Sequence, residues 1–215
     1  MKAVRGQPGP FLDALREQYG VVALPEPRTP FALIVWENCA YLVDDERRRQ
    51  TFANLRKTVG ITPVKLVAAG PKKIEAAIRD GGMQPPHRAA KVFESAQVAL
   101  DVSGDGWHDR KVLKRFPGIA DPGADKVLLL CGFSDAPAID SNGLRVLERL
   151  HVVAPGQSYA AAYRAGVRML SQAGFRGDKA IEAFALLRAH GRELCKRATP
   201  LCGACSLRLR CPSSM

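Results

Sequence analysis

Four cysteines stand within seventeen residues, in "CKRATPLCGACSLRLRC", at Cys195, Cys202, Cys205 and Cys211. Thiolates are soft ligands, and four of them in one loop suit either a tetrahedral zinc ion or a 4Fe–4S cluster. The C-x6-C-x2-C-x5-C spacing does not by itself separate the two. Pro200 and Gly203 supply turn residues, as a loop wrapped around a ligand requires. A disulfide knot is the less natural reading. The first residues, "MKAVRGQPGPFLDALREQYG", hold no apolar stretch of the kind that directs secretion, so an intracellular, cytoplasmic protein is expected, and stable disulfides are rare there. Cys39 and Cys131 lie among apolar neighbours and read as ordinary core residues.

Charge asks for a partner. Thirty-two Lys and Arg against twenty-one Asp and Glu give a net charge of +11, a field that favours nucleic acid or another polyanion through phosphate contacts and counterion release. Aromatic residues make up 7% of the chain, too few for a stacking platform on single strands. Two carboxylates stand out. Glu37 lies in "VWENCAYL", where an acid is costly unless it faces a polar cavity or a partner. Asp140 lies in "AIDSNGLRV", directly before a helical stretch, where an acid caps the helix.

The elements that must position these groups read as helices throughout. "PFLDALREQY", "RTPFALIVWENCAYL" (28–42), "DDERRRQTFANLRKTVG", "PPHRAAKVFESAQVAL", "SYAAAYRAGVRMLSQAG" and "DKAIEAFALLRAHGREL" all place apolar residues at helical spacing, with Pro or acids at their starts. "TPVKLVAAG" and "GPKKIEAAIRDGG" read as two short helices, broken at Gly70-Pro71. "GVVAL" (20–24) is the one short strand candidate. In "VLKRFPGIADPGADKVLLL" (112–130), two helical segments flank a Pro-Gly turn. This is the outline of a helix-hairpin-helix, whose turn offers backbone N–H groups to a DNA phosphate.

With the hairpin and the cysteine tail together, the chain resembles the endonuclease III superfamily of DNA glycosylases, nearer its monofunctional mismatch-glycosylase branches. The resemblance rests on "HGRELCKRATPLCGACSLRLRC", on "PFALIVWENCAYLVDDE" and on "FPGIADPGADKVLLL…AIDSNGLRVLERL". It implies an all-α, two-domain fold: a six-helix barrel over residues 25–132 carrying the hairpin, and an iron–sulfur domain from 1–24 plus 133–215, with the active site in the cleft between them. It implies that Cys195, Cys202, Cys205 and Cys211 hold a 4Fe–4S cluster rather than zinc, against the DNA backbone. The implied partner is double-stranded DNA containing a damaged or mispaired base, bound by a monomer.

The resemblance also assigns roles. Asp140 falls at the position of the family's catalytic aspartate, which supports the cationic sugar or the attacking water when an N-glycosidic bond breaks. Glu37 falls where the mismatch glycosylases carry a catalytic glutamate, suited by burial to protonate a departing base. Asn142 matches the monofunctional branches. Gly118, Ala120 and Gly123 belong to the DNA-binding hairpin. Leu42 and Met83 stand where relatives insert wedge residues after flipping a base, and Trp36 and Tyr41 would line the base pocket.

The family's lyases carry a lysine nucleophile just past the hairpin glycines. Here that position is Pro122, and Lys126, one turn on, reads as a solvated helix lysine, so a glycosylase without lyase activity is expected. Two departures stand beside this. Ala120 replaces the usual second hairpin glycine, and Asp121 puts an acid beside a phosphate-binding turn. The chain stops four residues after Cys211, without the further domain used by the adenine branch. Uracil or a mispaired deaminated pyrimidine is therefore the favoured base, with alkylated purine as the other class. A non-catalytic iron–sulfur DNA-binding or redox-sensing protein, and a bifunctional lyase working through Lys126, are the alternatives.

Overall fold

The computed structural model describes residues 7–24 and 27–214, and among them the chain is helical with no strand. The described residues fall into two compact units: 7–24 with 132–214, and 27–131. No helix among them is long and apolar enough to cross a membrane.

The first unit is built from α1 (Gly9–Tyr19) and from three later helices, α8 (Ser141–Arg149), α9 (Tyr159–Gln172) and α10 (Asp178–Glu193). Leu12 and Leu15 of α1 meet Leu144 and Leu147 of α8, Leu170 of α9 and Leu186 of α10 in one core. The tail after α10 forms two short 3-10 turns, Cys202–Ala204 and Arg208–Arg210, and is tied down by Leu207, which is buried in the same core. Residues 20–24, read as a strand, are irregular, and Val21 is fully exposed. Their β-branched residues find no strand to pair with, which β-propensity alone does not supply.

The second unit runs from α2 (Pro30–Cys39) through α3 (Asp45–Thr58), α4 (Pro63–Ile78), α5 (Pro85–Leu100) and α6 (Arg110–Leu113) to α7 (Asp121–Leu130). Eight of the ten residues of α2 are buried, so packing rather than helix propensity holds it, each fully buried large apolar side chain being worth ~1.5–3 kcal/mol. The kink in α4 falls at Gly70, with φ 72°, directly before Pro71, so the two helices read from sequence are joined across a bend. Helix α2 stops at Cys39 instead of running on to Leu42. Ala40 turns extended, and the Tyr41 N–H donates to the Gly81 carbonyl at 2.8 Å, a tertiary bond that replaces the next helical one. Cys39 is a core residue, whereas Cys131, at the end of α7, is only half-buried because the helix has ended there.

Candidate functional site

Asp140 is the N-cap of α8. Its Oδ1 accepts from the backbone N–H groups of Asn142 at 2.9 Å and Gly143 at 2.8 Å, and its Oδ2 accepts from the Asn142 side-chain amide at 3.1 Å. The cap satisfies donors that α8 would otherwise leave open, and it fixes the carboxylate at the positive end of the helix dipole. The side chain is half-buried, and the Arg188 guanidinium of α10 lies 3.7 Å from Oδ2. Asn142 in turn accepts from Arg145, which also donates to the carbonyls of Gly191 and Cys195 at 2.6 and 2.9 Å. A Cβ at Gly191 would lie 2.6 Å from the Asn142 carbonyl, so only glycine lets α10 come this close. Arg145 and Arg188 carried no signal in the sequence, because arginines on helices are usually solvated.

The four tail cysteines line one largely apolar cavity with Leu150, Leu194 and Leu207. Burial pushes the Cys205 and Cys211 thiols up, and the neighbouring cysteines push the same way, so a cation is what would let this set ionise together. Polar side chains already face two of the sulfurs. Arg149 reaches Cys195 Sγ at 3.3 Å, and His190 Nε2 lies 3.6 Å from Cys205 Sγ while its Nδ1 meets the Tyr19 hydroxyl at 3.0 Å. Burial brings His190 down to about 4, leaving a neutral ring. Among the described residues, no three Cys, His, Asp or Glu side chains close on a single ion position.

In the second unit Glu37 projects from α2 and forms an ion pair with Lys126 of α7, Nζ to Oε1 2.6 Å. The lysine is 8% exposed, so the solvated helix lysine read from sequence is a buried counter-ion, drawn inward by an acid on another helix. Glu37 also lines a cavity of about 250 Å³ with Asn38, Tyr41, Gln84, His87 and Lys91. Trp36 does not reach this cavity. It is buried in the core, edge-on to Phe52 at 5.4 Å, because its place on α2 faces α3.

Leu42 and Met83 are both exposed on adjoining loops. Tyr41 bridges Gly82, where an added Cβ would lie 2.1 Å from the Tyr41 carbonyl, and Leu42 and Gln84 are both left-handed, at φ 56° and 54°. Such conformations in non-glycine residues persist only where surroundings enforce them. The enforcing group is Arg88, buried on α5, which donates to the carbonyls of Cys39, Ile78, Arg79, Gly82 and Met83. Its role carried no signal in the sequence, because the five carbonyls come from other turns of the chain.

The hairpin turn is held from α2. The Asn38 amide donates to the Pro117 carbonyl at 3.0 Å, and Gly118 sits at φ 77°, tight against the Asn38 oxygen. Ala120 is the N-cap of α7, and Gly123 faces Ile119 across the turn. Asp121 forms ion pairs with Lys114 at 2.6 Å and Arg110 at 3.2 Å, which hold its carboxyl below the usual carboxylate range. The acid that looked hostile to phosphate is thus turned onto two cations of its own hairpin.

No family model matches the chain. It is 30% identical over 189 residues to endonuclease III of Sulfolobus acidocaldarius, spanning 86% of this chain and 82% of that protein. It is 32% identical over 89 residues to a thymine/uracil-DNA glycosylase of Pyrobaculum aerophilum, spanning 41% of this chain and 39% of that one. A solved endonuclease III–DNA complex, trapped as a covalent intermediate, aligns over 94% of this chain and 92% of its own with a TM-score of 0.79 at 21% identity, a likeness of fold.

Proposed function

The chain belongs to the endonuclease III family, and on that premise we propose that it is a DNA glycosylase that hydrolyses the N-glycosidic bond of an extruded, damaged or mispaired base in duplex DNA and leaves the strand uncut. In this reading Asp140 stabilises the cationic sugar and takes the proton of the attacking water, held for that task by its cap bonds. Asn142 fixes the second carboxylate oxygen. Glu37 faces the base, and Tyr41 walls the cavity beside it. Leu42 and Met83, on loops braced by Arg88, fill the gap that the base leaves, while Gly118, Ala120 and Gly123 bring hairpin N–H groups to a phosphate.

One observation carries the monofunctional reading. Helix α7 holds a single lysine, Lys126, and its ammonium is buried against Glu37. A Schiff base needs a free amine within reach of the sugar, and Pro122 offers none. Cys195, Cys202, Cys205 and Cys211 would hold a 4Fe–4S cluster, a reading supported by four thiols that line one largely apolar cavity. Its contribution when bound is a rigid centre for the terminal loop and its arginines.

End-labelled duplexes carrying uracil, a thymine mispair, hypoxanthine or a methylated purine test the proposal, each with and without hot alkali. Breaks that appear only after alkali are expected. Breaks without alkali, with borohydride trapping lost in Lys126→Met, would overturn the monofunctional reading.

A further inference from the structure

The proposed hydrolysis gives Glu37 a place beside the base but leaves the cation paired with it without a task. Lys126 has a stem long enough to carry its charge to solvent, yet the ammonium points inward to Glu37 at 2.6 Å and the residue is 8% exposed. Glu37 is 32% exposed at its side chain and lines the polar cavity shared with Tyr41, Gln84 and His87. One carboxylate therefore meets a fixed cation on one side and an open, polar space on the other.

Resting on the glycosylase reading above, we propose that Lys126 fixes Glu37 as a hydrogen-bond acceptor that reads a ring N–H of the extruded base, and that the site takes neutral bases with an imide or lactam N–H, uracil and thymine first. A carboxylate accepts and does not donate. Its Oε1 is held by the Lys126 ammonium at 2.6 Å, so what it offers the cavity is acceptor capacity. A base without an imide or lactam N–H, such as adenine, has no such donor to offer it. A cationic alkylated purine gains nothing either, because the Glu37–Lys126 pair is neutral as a whole.

Uracil and thymine carry that donor at N3. The C1′–N1 bond breaks with its electron pair going to the base, where the charge spreads over the ring carbonyls. Water oxygen bonds to C1′, and its proton passes to Asp140. The base anion then takes a proton from solvent. Throughout, the N3–H donates to Glu37, and the Lys126 charge keeps the leaving anion from meeting a net negative wall. Lys126 is on this account a positioning residue, and Glu37 the residue that determines specificity.

The test uses a base that the enzyme does not cleave. Duplexes carry either 2′-fluoro-2′-deoxyuridine or its N3-methyl derivative, each opposite a tetrahydrofuran abasic analogue so that base pairing does not enter. The wild-type protein is expected to bind the N3-methyl probe about ten- to a hundredfold more weakly, the range for a hydrogen bond to a charged acceptor. Glu37→Leu should bind both probes alike, Lys126→Met should narrow the gap, and Lys126→Arg should keep it. Equal binding of both probes by the wild type would overturn the proposal, as would full discrimination in Glu37→Leu. Full discrimination in a folded Lys126→Met would remove the lysine from it. The wild-type comparison needs no variant to fold. If a cleavable uracil duplex releases no base while the N3-methyl gap persists, the hydrolytic reading fails and the recognition stands.

Discussion

Asp140 is a helix cap, and the proposed function gives the same side chain a chemical task. The cap bonds that start α8 also hold the carboxylate still, and asparagine can make most of the same cap. Asp140→Asn is therefore expected to lower stability by less than about 1 kcal/mol while reducing base release by at least about a hundredfold. Thermal unfolding and single-turnover assays read the two effects separately; a parallel loss of both would mean that the residue is only a cap. The cap is legible in sequence, because capping is local and sits in "AIDSNG", whereas the chemical role comes only from the family resemblance. Lys126 is not legible in that way. Its fate is decided by Glu37 on another helix, and nothing within its own turn announces a partner.

Elements were legible where a backbone signal marks them and obscure where a tertiary bond overrides it. Gly70-Pro71 broke α4 as read, and the structure adds side-chain caps at Thr62, Asp44 and Ser158. The end of α2 was misplaced because its last expected turn is replaced by the pairing of Tyr41 with Gly81 and Gly82. Those two loops depend on Arg88, whose guanidinium bonds five carbonyls from a buried position. Arg88→Met should cost about 2–4 kcal/mol, since it strands buried acceptors, and should weaken binding to a duplex with an unpaired base. Denaturant unfolding and DNA titration check both. Gly82→Ala is expected to act in the same direction, because its Cβ has no room beside the Tyr41 carbonyl; unchanged stability and affinity in both variants would detach the loops from function.

At the scale of the whole molecule, a net charge of +11 predicts DNA affinity that falls steeply with salt, by orders of magnitude between about 50 and 200 mM if six or more phosphates are contacted. A shallow slope by fluorescence anisotropy would contradict a phosphate-gripping protein. The cysteine tail makes a second demand. Iron and sulfide in near-equal amounts should accompany the wild-type protein, and Cys202→Ala should lose the visible absorbance and loosen the unit that α1 and α8 share with the tail; stoichiometric zinc would contradict the cluster. The helical class and the cysteine loop could be read from the chain because composition and spacing carry them, whereas the brace at Arg88 and the Glu37–Lys126 pair are products of packing. The most direct test of the central claim is chromatography of the free base from a duplex with one uracil opposite guanine, incubated with the wild type or with Asp140→Asn. Release of uracil by the wild type, lost in the variant and leaving an intact strand that breaks only in alkali, is the predicted result. Intact uracil in both reactions, or a strand cut without alkali, would contradict it.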